Sequence, residues 1–105
     1  MGDLLEKEIV FRLHMYEDEE LIDLVEEYTL TALGDIPKAG DYIISPWVLP
    51  SLDRKDPKNR TIYEVVSRYF LPRNENEEED WVYVALVVKE RAMNKVESTL
   101  IATSP

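Results

Sequence analysis

The sequence predicts a single small α+β domain that is rich in β-structure and spans residues 1–105. Several stretches of the chain alternate apolar and polar residues with the period of a strand. One acidic stretch repeats its apolar residues with the period of a helix. The length of 105 residues, 45% of them apolar, suffices for one hydrophobic core but not for two.

Two elements are predicted near the start of the chain. Residues 8–16 should form a half-buried strand, because the odd-numbered residues from Ile9 to Met15 are all apolar. Residues 19–28 should form an amphipathic helix that Asp18 caps, because apolar residues there recur at helical spacing. The polar side of this helix would carry five carboxylates, from Glu19, Glu20, Asp23, Glu26 and Glu27.

A β-hairpin is the alternative for the same stretch. A strand over residues 21–31, entered through a tight turn at Glu17–Asp18, would pair with the first strand. That strand would bury Glu26 beside Ile22 and Leu24, and an unpaired buried carboxylate is costly. The sequence therefore favours the helix over the hairpin.

The middle of the chain is punctuated by glycine and proline. A short strand is predicted over residues 41–45, following a turn at Gly40. Pro46 and Pro50 bracket Trp47 and exclude it from a central strand, which places it at an edge or in a loop. Residues 51–60 are polar and are predicted to form a loop.

Two long strands are predicted in the second half of the chain. Residues 61–71 and 81–89 carry apolar groups on both faces, and the second strand is expected to be central and covered on both sides. An acidic connection over residues 72–80 should join them into an antiparallel hairpin with a mobile tip. Residues 90–105 leave two alternatives, a last strand through Val96, Leu100 and Ala102 or a helix over residues 90–98.

Three or four strands and one helix indicate a small architecture. The prediction is a bent antiparallel sheet or a partly open barrel of the SH3 or OB type, with the helix packed against one side.

The residue types present disfavour catalysis and cofactor binding. The chain has no cysteine and one histidine, which removes thiolate metal sites and Cys–His nucleophiles. His14 lies in a predicted strand and is interpreted as an ordinary strand residue. Three glycines cannot build a glycine-rich phosphate cradle, and the acidic runs lack the glycine of a calcium loop. No catalytic residue, cofactor or metal is predicted.

The charge of the chain is strongly negative and unevenly distributed. Acids outnumber bases 22 to 12, giving a net charge of −10. Residues 1–36 carry −9, residues 37–74 carry +3 and residues 75–105 carry −4. Such a chain repels phosphate backbones and anionic lipids and favours basic partners. Bases at 54, 55, 58 and 60 lie near aromatic residues, but Asp53, Asp56 and the total charge argue against direct nucleic-acid binding.

The sequence thus predicts a non-catalytic, cytoplasmic domain that binds a basic surface of a partner protein. The residues predicted to make that contact are Glu19, Glu20, Asp23, Glu26, Glu27, Trp47 and Trp81. One alternative is a mimic of a phosphate backbone, as in phage-encoded inhibitors of host defence. Another is a homo-oligomer that pairs through a sheet edge at residues 41–45 or through the C-terminal segment. No signal peptide and no membrane span is predicted from the charged N-terminus and the short apolar runs.

Overall fold

The computed structural model describes residues 8–72 and 81–104, and within these ranges the chain forms five strands and two α-helices. The strands are Glu8–Glu17 (β1), Glu20–Thr29 (β2), Tyr42–Ile44 (β3), Ile62–Leu71 (β4) and Trp81–Arg91 (β5). The helices are Leu30–Leu33 (α1) and Lys95–Thr103 (α2), and a single 3₁₀ turn covers Pro57–Asn59. The protein is therefore a small α+β fold that is mostly sheet, as predicted.

All five strands lie in one mixed sheet in the order β2-β1-β5-β4-β3. β1 and β5 run parallel at the centre, and every other pair is antiparallel. The sheet is therefore mixed, and the prediction of a wholly antiparallel sheet is wrong at this central pair. Barrel closure is not confirmed, since β2 and β3 remain as two separate edges of the sheet.

The prediction of a helix over residues 19–28 is wrong, and this stretch forms the second strand of the alternative hairpin. β1 and β2 are joined by a two-residue turn at Asp18 and Glu19, whose φ angles are +52° and +65°. Two left-handed residues form the turn that matches the twist of paired strands, so this turn directs the chain straight back along β1. Asp18 is accordingly a turn residue and not a helix cap.

A β-bulge in β2 removes the objection that had favoured the helix. Val25 adopts a left-handed φ of +55°, and its side chain is 77% exposed. The register against β1 shifts at this point, between Arg12 and His14. Glu26 is half-buried on the core side, but its carboxylate accepts a hydrogen bond from the Tyr28 hydroxyl. The buried carboxylate thus has a partner, and the expected cost is largely avoided.

The segment between β2 and β3 covers one face of the sheet. Thr29 caps α1 through its hydroxyl, and Gly34 ends the helix with a φ of +83°. Leu30, Leu33 and Ile36 from this segment pack on the core. The segment crosses from the β2 edge to the β3 edge, because β3 pairs with β4 on the far side of the sheet.

The core is built from alternate residues of the strands on this covered face. Its fully or almost fully buried members are Phe11, Leu13, Ile43, Tyr63, Val65, Val84, Leu86 and Val88. The predicted strands over residues 8–16, 41–45, 61–71 and 81–89 are confirmed, as is the antiparallel β4–β5 hairpin. The predicted acidic tip of that hairpin, residues 75–80, lies outside the described residues.

The C-terminal segment forms a helix, which was one of the two alternatives. It begins at Lys95, later than predicted, because Asn94 caps it in a reciprocal capping box with Glu97. Arg91 at the end of β5 donates two hydrogen bonds to the Glu97 carboxylate, at 2.9 and 2.6 Å. Ile101 is 2% exposed and anchors the other end of the helix. Among the residues described, every helix is too short or too polar to cross a membrane.

Candidate functional site

The second face of the sheet is covered by α2 at one end, where Ile62 is 1% exposed and Arg91 bonds to Glu97. We call the exposed remainder of this face the open face. Its apolar residues come from four adjacent strands: Tyr16 (β1), Leu21 (β2), Val66, Tyr69 and Leu71 (β4), and Val87 (β5). They line a shallow groove of about 780 Å³, with His14 and Ala85 at its floor. β5 is central, as predicted, and its residues Ala85 and Val87 on this face are half-buried.

The open face exposes several large apolar side chains to water. Tyr16 is 62% exposed, Leu21 and Tyr69 are each 57% exposed, and Leu71 is 53% exposed. By contrast, the core-facing neighbours Val84, Leu86 and Val88 on β5 are at most 1% exposed. Contiguous exposed apolar patches commonly mark binding surfaces.

An ion cluster borders the open face along β2. The Arg12 guanidinium donates to Asp23 from Nε at 2.9 Å and from Nη2 at 2.8 Å, and to Glu27 from Nη1 at 2.5 Å. Asp23 also accepts the Val25 N–H at 2.8 Å, which fixes the bulge. The Arg12 hydrogen bonds and the Val25 N–H lower the pKa of Asp23 to about 2. Arg12 therefore offsets one of the two negative charges of Asp23 and Glu27, and the cluster keeps a net charge of −1.

The turn between β1 and β2 carries four further carboxylates, Glu17, Asp18, Glu19 and Glu20, which we call the acidic tip. All four are exposed, and none makes an ion pair with another described residue. Tyr16 and Leu21, which face each other across the strands, adjoin this turn directly. The apolar open face thus ends at a cluster of uncompensated negative charge.

The structure separates the residues that the sequence grouped on one helix face. Glu19 and Glu20 belong to the acidic tip, and Asp23 and Glu27 pair with Arg12 beside the open face. Glu26 lies on the opposite, core side with Tyr28, and burial together with this hydrogen bond raises the pKa of Tyr28.

Trp47 and Trp81, which were predicted to contact the partner, lie outside the groove or outside the described side chains. Trp47 is 71% exposed in the loop after β3 and does not line the groove of the open face. Trp81 begins β5, but its side chain lies outside the described part of the structure.

The open-face residues were not predicted as a site. The signal for them was present, because apolar residues occupy both faces of β4 and β5. The sequence does not show which of those faces the rest of the chain covers.

The other polar groups are arranged as structural contacts. His14 is half-buried in the groove, and its Nδ1 lies 3.1 Å from the Arg12 carbonyl oxygen. In the loop over residues 51–60, Arg60 donates hydrogen bonds to the carbonyls of Ser45 and Arg54. Burial lowers the pKa of the Arg60 guanidinium. Across residues 8–72 and 81–104, no group of three or more histidine or acidic side chains is placed to hold a metal ion.

The Arg12–Asp23 pair should make the free energy of unfolding of the domain depend on pH at acidic pH values. Because the pKa of Asp23 is lowered to about 2 in the folded chain, its ionised form stabilises the fold above pH 4. This contribution is lost as the pH falls from about 4 to about 2. Urea unfolding between pH 2 and 6 should show a shallower decline for Asp23→Asn than for the parent chain.

Glu20→Gln is the matched control, because it removes an exposed carboxylate of the same strand that has no described ion pair. An equal flattening of the pH profile by Glu20→Gln would contradict the assignment to the Arg12–Asp23 pair.

No protein family, curated protein or solved structure matches the chain. The function is therefore inferred from the chemistry of the open face and the acidic tip.

Proposed function

We propose that the domain is a non-catalytic protein-binding module that binds its partner through the open face. The observation that carries this proposal is the exposure of Tyr16, Leu21, Tyr69 and Leu71, each more than half accessible to water. Burying such aromatic and aliphatic side chains is the main source of affinity in protein interfaces. Because each is already almost half covered, its full burial contributes about 1–1.5 kcal/mol from the hydrophobic effect.

The acidic tip supports a partner that carries lysine or arginine beside its apolar surface. None of the four carboxylates of the tip makes an ion pair with a described residue, whereas Asp23 and Glu27 both pair with Arg12. Opposite charges across an interface accelerate association and select the partner. A net charge of −10 works against nucleic acids and anionic lipid surfaces as the partner.

The phosphate-mimic alternative gains less support from the positions of the described carboxylates. A mimic needs uncompensated charges in a row along one surface. Here Asp23 and Glu27 share Arg12, and Glu26 lies on the core side. Within residues 17–27 the acidic tip is therefore the one group of carboxylates without an ion pair to a described residue.

Affinity capture with matched baits tests the proposed function. The test bait carries Tyr69→Ser and Leu71→Ser on the open face, and the control bait carries Leu49→Ser and Val96→Ser. The control positions are 68% and 67% exposed and lie away from the groove. Both baits lose two exposed apolar side chains and keep the net charge.

Proteins captured by the parent chain and by the control bait should not be captured by the test bait, which we call the open-face bait. A partner attracted by the acidic tip should also bind less as the salt concentration rises, because exposed charges are screened beyond about 10 Å at 0.1 M salt. Capture of the same proteins by the open-face bait as by the parent chain would refute the proposal.

A further inference from the structure

We infer that the element of the partner that occupies the open face is an amphipathic α-helix with basic residues at the end that lies over the acidic tip. This inference rests on the proposed function of the open face. It specifies the secondary structure, the approximate length and the charge pattern of the binding element.

Neither edge of the sheet is suited to adding a strand from a partner. At the β2 edge, Val25 has a left-handed φ and its N–H is already bonded to Asp23, so the row of edge hydrogen-bonding groups is interrupted. The β3 edge is only three residues long. A partner that relied on main-chain pairing would therefore find little to pair with.

The groove itself favours an element that satisfies its own backbone. Its lining is mainly apolar, and the polar groups along it among the described residues are His14, Ser67 and the hydroxyls of Tyr16 and Tyr69. An extended segment placed there would lose hydrogen bonds to water without replacing them. A helix keeps its backbone hydrogen bonds internal and presents one apolar side to the groove.

The dimensions of the open face suit one helix. The face spans four strands from β2 to β4, which is about 14 Å at ordinary strand spacing, and a helix with its side chains is about 10 Å wide. Along β5 the face runs from the level of Leu71, opposite Tyr83, to the level of Tyr16, next to Lys89. The six steps from Tyr83 to Lys89 cover about 20 Å, which corresponds to about 13 residues of helix.

A second copy of this chain fits the open face less well. A two-fold dimer would bring two chains of net charge −10 together. It would also bring no unpaired base to either acidic tip, because Arg12, Lys89 and Arg91 on this side of the sheet already pair with carboxylates of their own chain. A basic helix satisfies both the apolar groove and the charge beside it.

Designed peptides test the inference directly. The probe is an 18-residue peptide of leucine, alanine and lysine with its leucines at helical spacing and its lysines concentrated at one end. The comparison peptide replaces every lysine by glutamate. Titration of each peptide into the chain gives the dissociation constant, and circular dichroism reports the helix formed on binding.

The lysine peptide should bind and gain helicity, and the glutamate peptide should bind at least about tenfold more weakly. The substitution pair Tyr69→Ser and Leu71→Ser should weaken binding of the lysine peptide about tenfold or more, and the pair Leu49→Ser and Val96→Ser should not. Equal weakening by both pairs, or binding without helix formation, would overturn the inference.

The same chains separate this inference from the proposed function. If the open-face bait fails to capture a cellular partner while Tyr69→Ser and Leu71→Ser leave binding of the lysine peptide unchanged, the helix inference fails and the proposed function stands. If the open-face bait captures the same proteins as the parent chain, the proposed function fails as well. A dimer of the free chain that Tyr69→Ser and Leu71→Ser dissociates would identify a second copy as the occupant and would also overturn the inference.

Discussion

Val84→Asp should prevent the domain from folding, whereas Ala85→Asp at the next position should leave it folded. Val84 is 1% exposed within the core and has apolar neighbours on every adjoining strand. Burying an unpaired carboxylate there costs at least about 5 kcal/mol. The entire stability of a domain of this length is about 5–15 kcal/mol. Far-UV circular dichroism and urea unfolding of the two variants measure the difference.

Ala85→Asp is the matched control because it places the same charge on the opposite face of β5. Ala85 is half-buried in the groove and lies beside Arg12 in the sheet, so the new carboxylate has water and a cation within reach. This variant should fold but should bind partner and peptide poorly. Unfolding of both variants would show that the open face is packed in the native protein.

Ile101→Ala should lower the free energy of unfolding by about 3 kcal/mol. Ile101 is 2% exposed on α2, which packs against the 3₁₀ turn at residues 57–59. Removing three buried carbon atoms loses their transfer free energy and leaves a cavity. In a domain of this size that loss lowers the melting temperature by about 15 °C. Thermal unfolding followed by circular dichroism measures it.

Leu100→Ala is the control for this substitution, since Leu100 precedes Ile101 and is 55% exposed. It should change the free energy of unfolding by no more than about 0.5 kcal/mol. Similar effects of the two substitutions would mean that α2 is not docked as described.

The strands were largely predictable because their signal is local. Alternation of apolar residues in β1 and apolar runs in β4 and β5 reflect which faces can be buried. The stretch over residues 20–29 was not predictable in the same way, because its leucines and glutamates fit a helix as well as a bulged strand. The deciding features are the left-handed turn at Asp18 and Glu19 and the bulge at Val25, and no glycine marks either of them.

The candidate site depends on tertiary structure more than on local pattern. The sequence shows apolar residues on both sides of β4 and β5, but which side remains open depends on where residues 30–41 cross the sheet. The pairing of Arg12 with Asp23 and Glu27 depends likewise on the shifted register of the β1–β2 hairpin. The acidic character of the tip was predictable from its composition, but its position beside Tyr16 and Leu21 was not.

Selective nitration of tyrosine tests most directly whether the open face is accessible and binds the partner. In the free chain, Tyr16 and Tyr69 should react, as should Tyr42, which is 51% exposed outside the groove. Tyr63 should resist, because it is 9% exposed and burial raises its pKa, which reduces the reactive phenolate. In the complex with the captured partner, Tyr16 and Tyr69 should be protected and Tyr42 should still react. Protection of Tyr42 with continued reaction of Tyr16 and Tyr69 would contradict binding through the open face.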